Sequence, residues 1–234
     1  MLPPTDPPDL PKDPVTPVPL PTPHKIAMLS AGGLATLLAA LSMLGPFSID
    51  AYLPAFPQIQ AELAATPLEV QQTLTAYMLA FAGMVLWHGA LSDAFGRRNV
   101  ILVALVVFAI GTFGCAAASS VHYLWVFRIM QGVSAGAGVV VGRAIIRDLY
   151  SDTAAARLLS MVTMIFSIAP AIAPVVGGWI VTLLDWRAIF LALSVYTVLL
   201  FWFCWKHLPE TVPPTERQPL NPRFLAQSYR AIFS

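Results

Sequence analysis

Apolar residues fill most of positions 26–206 in six stretches, at about 26–56, 67–88, 99–118, 122–142, 154–183 and 188–205. About 20 apolar residues cross a bilayer as a helix, so each stretch predicts one spanning helix. The breaks between them carry start and stop signals. Thr66-Pro67-Leu68-Glu69 reads as a capping box with proline at the first helical position. Asp185 is placed to cap the sixth helix. Residues 1–25 are too rich in proline for a helix or a sheet ladder and read as an extended, disordered tail. No cleavage pattern follows them, so they are not a signal peptide. Residues 207–234 form a second polar, proline-bearing tail, ending in a weakly amphipathic stretch near 224–232. The fold class is therefore an all-α membrane protein of six transmembrane helices.

Composition sharpens this. Charged residues are 11% of the chain, against about 25% in a soluble domain. Net charge of +1 gives no footprint for a nucleic-acid partner. No metal-ligand spacing and no nucleophile–base cluster is present, so neither enzyme nor cofactor is expected. Cys115 and Cys204 read as small core residues. They are expected near opposite membrane faces, separated by much of the roughly 30 Å of hydrocarbon and beyond the ~7 Å that a disulfide allows. Lys and Arg concentrate around 97–98, around 143–157 and after 205, while 57–68 and 119–122 have none. Both termini are accordingly placed on the cytoplasmic side of the membrane.

Against this apolar background a few residues stand out. Asp50 is the only carboxylate of the first stretch, in Asp50-Ala51-Tyr52-Leu53-Pro54. A charge at that depth is costly unless it faces a cavity or a partner; the alternative is that the helix ends early and Asp50 is a wet cap. Gln71, Gln72, Thr73, Thr75 and Tyr77 either line a polar path or bond to neighbouring helices. Arg128 lies about two turns inside the fourth helix, ahead of Gln131 and a glycine-rich stretch, Gly132 to Gly138, that lets another backbone approach closely. Gly89-Ala90-Leu91-Ser92-Asp93-Ala94-Phe95-Gly96-Arg97-Arg98 is a short polar hinge joining the second and third helices. Pro170 and Pro174, followed by Gly177-Gly178, predict a kinked fifth helix. Gly89 precedes Arg98 by the same nine residues that separate Gly178 from Arg187, an echo expected of two three-helix units related by inverted repetition.

The hinge, Gly-x-Leu-x-Asp-x-x-Gly-Arg-Arg, resembles the signature loop between helices 2 and 3 of the major facilitator superfamily. Arg128-x-x-Gln131-Gly132 resembles the fourth-helix motif of its proton-coupled members. Arg143-Ala144-Ile145-Ile146-Arg147-Asp148 resembles the loop of the Bcr/CflA branch of drug exporters. Ala173-Pro174-Val175-Val176-Gly177-Gly178 is similar to the antiporter motif Gly-Pro-x-x-Gly-Gly, with alanine for its first glycine. The loop also departs from the branch at Ala90 and Ala94, where proline and arginine are common.

The resemblance, over about residues 28–212, implies the N-terminal half of a twelve-helix drug/proton antiporter. Its partners would be protons, a small hydrophobic drug-like substrate, the bilayer and a C-terminal six-helix half. By the same resemblance, Asp50 is the protonatable carboxylate of the central cavity. Arg128 answers its charge, with Tyr52 and Gln131 beside them. Gly89, Asp93, Gly96, Arg97 and Arg98 form a cytoplasmic gating latch, and Pro170, Pro174, Gly177 and Gly178 shape the moving kink. Two other readings stay open: a proton-coupled uptake permease, which the helix-5 motif argues against, and a non-transporting degenerate half.

Overall fold

The structure, a computed structural model, describes residues 29–217. The expected tail over 1–25 and the stretch 218–234 lie outside the described residues. Among the described residues, six helices are long and apolar enough to cross a membrane: span 1 (Ala31–Glu62), span 2 (Pro67–Phe95), span 3 (Arg97–Ala116), span 4 (Val121–Leu149), span 5 (Asp152–Leu183) and span 6 (Trp186–His207). No strand occurs among the described residues.

Local chemistry sets the helix starts. Ser30 accepts from the Gly33 amide at 3.2 Å, Thr66 from Glu69 at 3.2 Å, Ser120 from Tyr123 at 3.4 Å and Asp185 from Ala188 at 2.9 Å. Glu69 reaches back to the Thr66 amide at 2.8 Å and completes the capping box.

Three spans are broken, each at a residue that resists a straight helix. Span 1 is α-helical over Ala31–Asp50, passes through a 3-10 turn at Leu53–Ala55 and resumes at Phe56–Glu62. Pro54 and Pro57 have no N–H to donate to Asp50 and Leu53, so the regular ladder cannot continue there. Span 5 divides into Asp152–Phe166 and Ala169–Leu183, with Pro170 in the first turn of the second piece. Span 4 divides into Val121–Ala135 and Ala137–Leu149 at Gly136.

Two expectations change. Span 4 runs to Leu149 rather than ending near 142, so Arg143, Arg147 and Asp148 ride on its last turns and not in a connection. Helix hydrogen bonds satisfy the backbone there, and the charges project from one side. The hinge at 89–98 is also mostly helix: span 2 continues to Phe95 and span 3 begins at Arg97. The turn is left to Gly96 alone, at φ 94°, a backbone angle that side-chain-bearing residues resist.

Span 3 packs on spans 4 and 6, span 2 on span 4, and span 1 on spans 4, 5 and 6. Span 4 is pressed hard into this arrangement. A Cβ on Gly132 would lie 2.3 Å from the Tyr77 carbonyl oxygen, and one on Gly138 would lie 2.4 Å from that of Leu41. The buried apolar side chains form two clusters. One gathers Leu38, Leu105, Phe108, Ile145 and Leu200 with Tyr77; the other gathers Ile59, Val70, Leu124, Trp186 and Phe190 with Tyr52.

The inverted repeat appears as a pair of matching ties. Arg98, second residue of span 3, donates to the Trp205 carbonyl near the end of span 6 at 2.5 Å. Arg187, second residue of span 6, donates to the Ala118 carbonyl just past the end of span 3 at 3.1 Å. The nine-residue spacing from Gly89 and Gly178 thus marks equivalent positions in the two three-helix units. Cys115 and Cys204 are both free and buried, near the C-terminal ends of the antiparallel spans 3 and 6.

Gly138→Ala is expected to destabilise the helix bundle by about 1–3 kcal/mol through overpacking against backbone. Gly142→Ala, whose added Cβ would meet only Leu38 side-chain atoms at 3.6 Å or more, should be near neutral. Reversible unfolding in mixed micelles measures both, and equal costs would show that span 4 is not held at Gly138.

Candidate functional site

Arg128 is fully buried between the two apolar clusters. A guanidinium at such depth costs about 2.5–3.5 kcal/mol even on the most lenient insertion scale, so it needs partners. Nη1 donates to the Ser48 carbonyl at 3.1 Å, to Ser48 Oγ at 3.0 Å and to Gln131 Oε1 at 3.0 Å. Its carbon centre sits 4.6 Å from the Tyr52 ring centroid and 4.4 Å from that of Tyr77. Two such ring contacts in a desolvated site contribute about 2 kcal/mol each. Nε and Nη2 have no hydrogen-bond partner among the described residues.

The surrounding groups form one layer across the half. Gln131 Nε2 donates to Thr112 Oγ1 at 2.7 Å. The Cys115 thiol points to Gln131 Oε1 at 3.6 Å. Tyr52 and Thr73 hydroxyls are 2.8 Å apart, and Tyr77 donates to the Gly45 carbonyl at 3.1 Å. Spans 1 to 4 each contribute, so this layer fixes their relative rotation.

The break in span 1 explains why the Ser48 carbonyl is available. In a regular helix it would accept from the Tyr52 amide, but that amide turns to Ile49 at 3.2 Å. Arg128 takes the freed oxygen. Span 5 meets the same point from another side: a Cβ on Gly177 would lie 2.1 Å from the Ala51 carbonyl oxygen. Backbone touches backbone there, which explains the glycine. Gly178 has open space and Pro174 is half-buried within the second piece of span 5.

Asp50 is half-buried and makes no ion pair or hydrogen bond among the described residues. Arg128 and Asp50 do not meet at ion-pair distance, and the reason is helical geometry. Ser48, which holds Arg128, lies two residues before Asp50, about 200° around the helix. Arg128, Tyr52 and Gln131 therefore lie inside the half, and Asp50 points from the other side of span 1. Its α-helix does end at Asp50, yet the span continues twelve residues to Glu62, about 18 Å at 1.5 Å per residue.

The loop end holds a second network. Arg97 is nearly buried. It pairs with Asp93 at 2.5 Å and, through Nε, with Asp148 of span 4 at 3.1 Å. It also donates to Ser92 Oγ at 2.5 Å, while its amide donates to Glu210 Oε1 at 2.8 Å. Thr211 closes on Asp148 at 2.6 Å. The two arginines are thus spent on ties within this half, to spans 4 and 6 and the segment after span 6. Gly96 leaves room for Glu210, whose Oε2 would be 2.3 Å from an added Cβ, and Gly89 supplies its carbonyl to Ser92 at 2.8 Å. Asp148, Glu210 and Thr211 are functional candidates that sequence reasoning did not assign; their signal was the acidic residue closing Arg143–Asp148 and the Glu-Thr pair after Pro209. The mirrored end is tied by Glu62 to Arg187 and to Trp186 Nε1, the latter at 2.6 Å.

The family profile described as Major Facilitator Superfamily matches residues 31–234. The chain belongs to the major facilitator superfamily. It is 37% identical to the bicyclomycin resistance protein homolog of Haemophilus influenzae over 84% of this chain and 49% of that protein. It is 32% identical to multidrug resistance protein D of Escherichia coli over 86% of this chain and 50% of that protein. These relatives, with those named multidrug resistance protein MdtL, place it in the Bcr/CflA-type branch. The fold agrees: the human organic anion transporter MFSD10 superposes with a TM-score of 0.68 at 23% identity, covering 86% of this chain and 53% of that one. The proton:xylose symporter XylE gives 0.70 at 14% identity, covering 86% and 52%. The chain spans about half the length of the curated relatives it matches.

Arg97→Gln is expected to lower stability by about 1.5–3 kcal/mol, the range for charge-assisted hydrogen bonds in a mostly buried setting. Arg98→Gln, which loses one bond to an exposed carbonyl, should cost about 1 kcal/mol or less. Thermal unfolding of the purified variants decides this; a larger loss for Arg98→Gln would remove Arg97 from the centre of the network.

Proposed function

We propose that this chain is the N-terminal half of a drug/proton antiporter of the bacterial inner membrane, acting with a C-terminal six-helix half. The observation that carries the reading is the convergence of three features on residues 48–52. The buried cation of span 4 holds the Ser48 carbonyl, the glycine of the antiporter-like motif in span 5 rests on the Ala51 carbonyl, and Asp50 lies between them, unpaired. A change of charge at Asp50 is thereby coupled to a helix break that two other spans grip.

In this reading a proton arriving from outside neutralises Asp50 and frees a hydrophobic drug, and loss of the proton readies the site for the next one. Arg128 acts through the backbone of span 1 and not by direct pairing. The exposed faces of spans 2 and 5, the least buried of the six, are where the second half would lie. Exposed Gln71, Gln72 and Thr75 on span 2 supply polar groups to that side. The loop network would brace the cytoplasmic end during the exchange, with half-buried Asp93 its most accessible member.

Asp50→Asn, co-produced with a C-terminal half, is expected to abolish efflux driven by an imposed proton gradient while membrane insertion and thermal stability stay at wild-type level. Everted-vesicle drug uptake measures the first. Normal gradient-driven export by the variant would end the proposal. Arg128→Ala should shift the pH at which drug binds, because span 1 loses its hold at the Ser48 carbonyl and the setting of Asp50 changes with it.

A further inference from the structure

The chain after span 6 is strapped across the loop end. Leu208 is buried, Glu210 accepts from the Arg97 amide at 2.8 Å, and Thr211 pairs with Asp148 at 2.6 Å. A 3-10 turn over Pro214–Glu216 then returns Arg217 to Glu210, with 3.9 Å between their charged atoms. The strap thus passes the ends of spans 4 and 3 and sets Arg217 at the mouth of a groove between spans 2 and 3. Residues 218–234 continue from that point.

The groove holds about 540 Å³. Span 2 lends it Met84, Leu91 and Phe95, span 3 lends Val100 and Val103, and span 4 adds Val133. Phe95 is 54% exposed and Val103 64%. The polar groups of the lining are engaged or shut in. Arg217 faces Glu210, Asn99 donates to the Phe95 carbonyl at 3.1 Å, and His88 is buried. An occupant therefore has to present an apolar side.

The sequence beyond Arg217 carries such a side. Asn221-Pro222 is a helix start, with asparagine suited to the cap and proline to the first position. At 100° per residue, Phe224, Leu225, Tyr229, Ile232 and Phe233 share one half of a helix, with Ser228 its only polar member. Arg223, Gln227 and Arg230 fall on the other half. The distances also agree. The chain from Arg217 to Pro222 reaches at most about 18 Å, so the helix starts beside the mouth. Residues 222–233 as a helix are about 18 Å long, while the groove wall from Phe95 back to His88 is about 10 Å.

We propose that residues 222–233 form an amphipathic helix docked on this groove. Its apolar half covers Phe95 and Val103, and Arg223 and Arg230 face the loop-side membrane surface, where such charges are favoured. The strap is the tether. A short tether holds its cargo at an effective concentration in the millimolar range, an advantage that a second copy of the chain lacks. The proposal is independent of Asp50 and does not rest on the transport reading.

The test is disulfide cross-linking in the full chain, reconstituted in lipid nanodiscs and oxidised with copper phenanthroline. Val103→Cys is paired with Leu225→Cys on the apolar half or, as control, with Gln227→Cys on the polar half, and peptide mass spectrometry reads the bonds formed. The Leu225→Cys pair should link within one chain at about five times the yield of the control. Adding Tyr229→Glu and Ile232→Glu should lower that yield about fivefold. Equal yields from the two pairs, or none, would mean that the segment lies on the bilayer and not in the groove. Bonds between two chains would make a second copy the occupant. Either result, or a yield unmoved by the glutamates, would overturn the proposal.

Discussion

The structure depends on accommodating one guanidinium in a place that strongly disfavours charge. Arg128 has no carboxylate to neutralise it among the described residues. Its charge is spread over a backbone carbonyl, a hydroxyl, an amide oxygen and two aromatic faces. Each partner comes from a position that must be held: Ser48 and Tyr52 on span 1, Tyr77 on span 2, Gln131 on span 4 itself and, through Gln131, Thr112 on span 3. Burying this cation therefore dictates how four helices are rotated. The two apolar clusters on either side are free of that constraint and need only fill space.

The same requirement accounts for the broken first span. An unbroken helix would keep the Ser48 carbonyl in its own ladder. Pro54 and Pro57 deny donors to the Asp50 and Leu53 carbonyls, the Tyr52 amide turns to Ile49, and the opened segment gives Arg128 an acceptor on one side and Gly177 a bare backbone to rest on. A local defect that would be expensive alone becomes the joint where spans 1, 4 and 5 meet. Broken helices in membranes persist where neighbouring groups resatisfy the freed backbone, as here.

At the membrane surfaces the logic is electrostatic and repeated. Arg98 and Arg187 close matching contacts between spans 3 and 6 at opposite ends. Around this symmetric frame the loop end has gained further charges, with Arg97 linking Asp93, Asp148 and the backbone approach of Glu210. The opposite end carries, among the described residues, the ion pair of Glu62 with Arg187 and the bond from Trp186 to the same carboxylate. The asymmetry falls on the side where the chain between spans 2 and 3 turns on a single glycine.

The number and order of the helices were legible in the sequence because the bilayer imposes a length and a polarity that no soluble fold shares. The capping box at Thr66 and the cap at Asp185 were legible because capping is decided within four residues. Resemblance to the superfamily rested on short polar motifs whose spacing survives in the chain. Helix ends were misjudged where charged residues continue a helix past the apolar run, as at Arg143–Asp148, or where one glycine suffices for a turn, as at Gly96. The sequence showed that Asp50 and Arg128 were the two costly charges, but not that they face opposite sides of span 1. That depended on which face of a broken helix packs inward, a choice set by Tyr52, Tyr77 and Gly177 arriving from three different spans. Likewise Asp148 and Glu210 are more than 50 residues from Arg97 along the chain, and only the packing of spans 3, 4 and 6 brings their carboxylates to it.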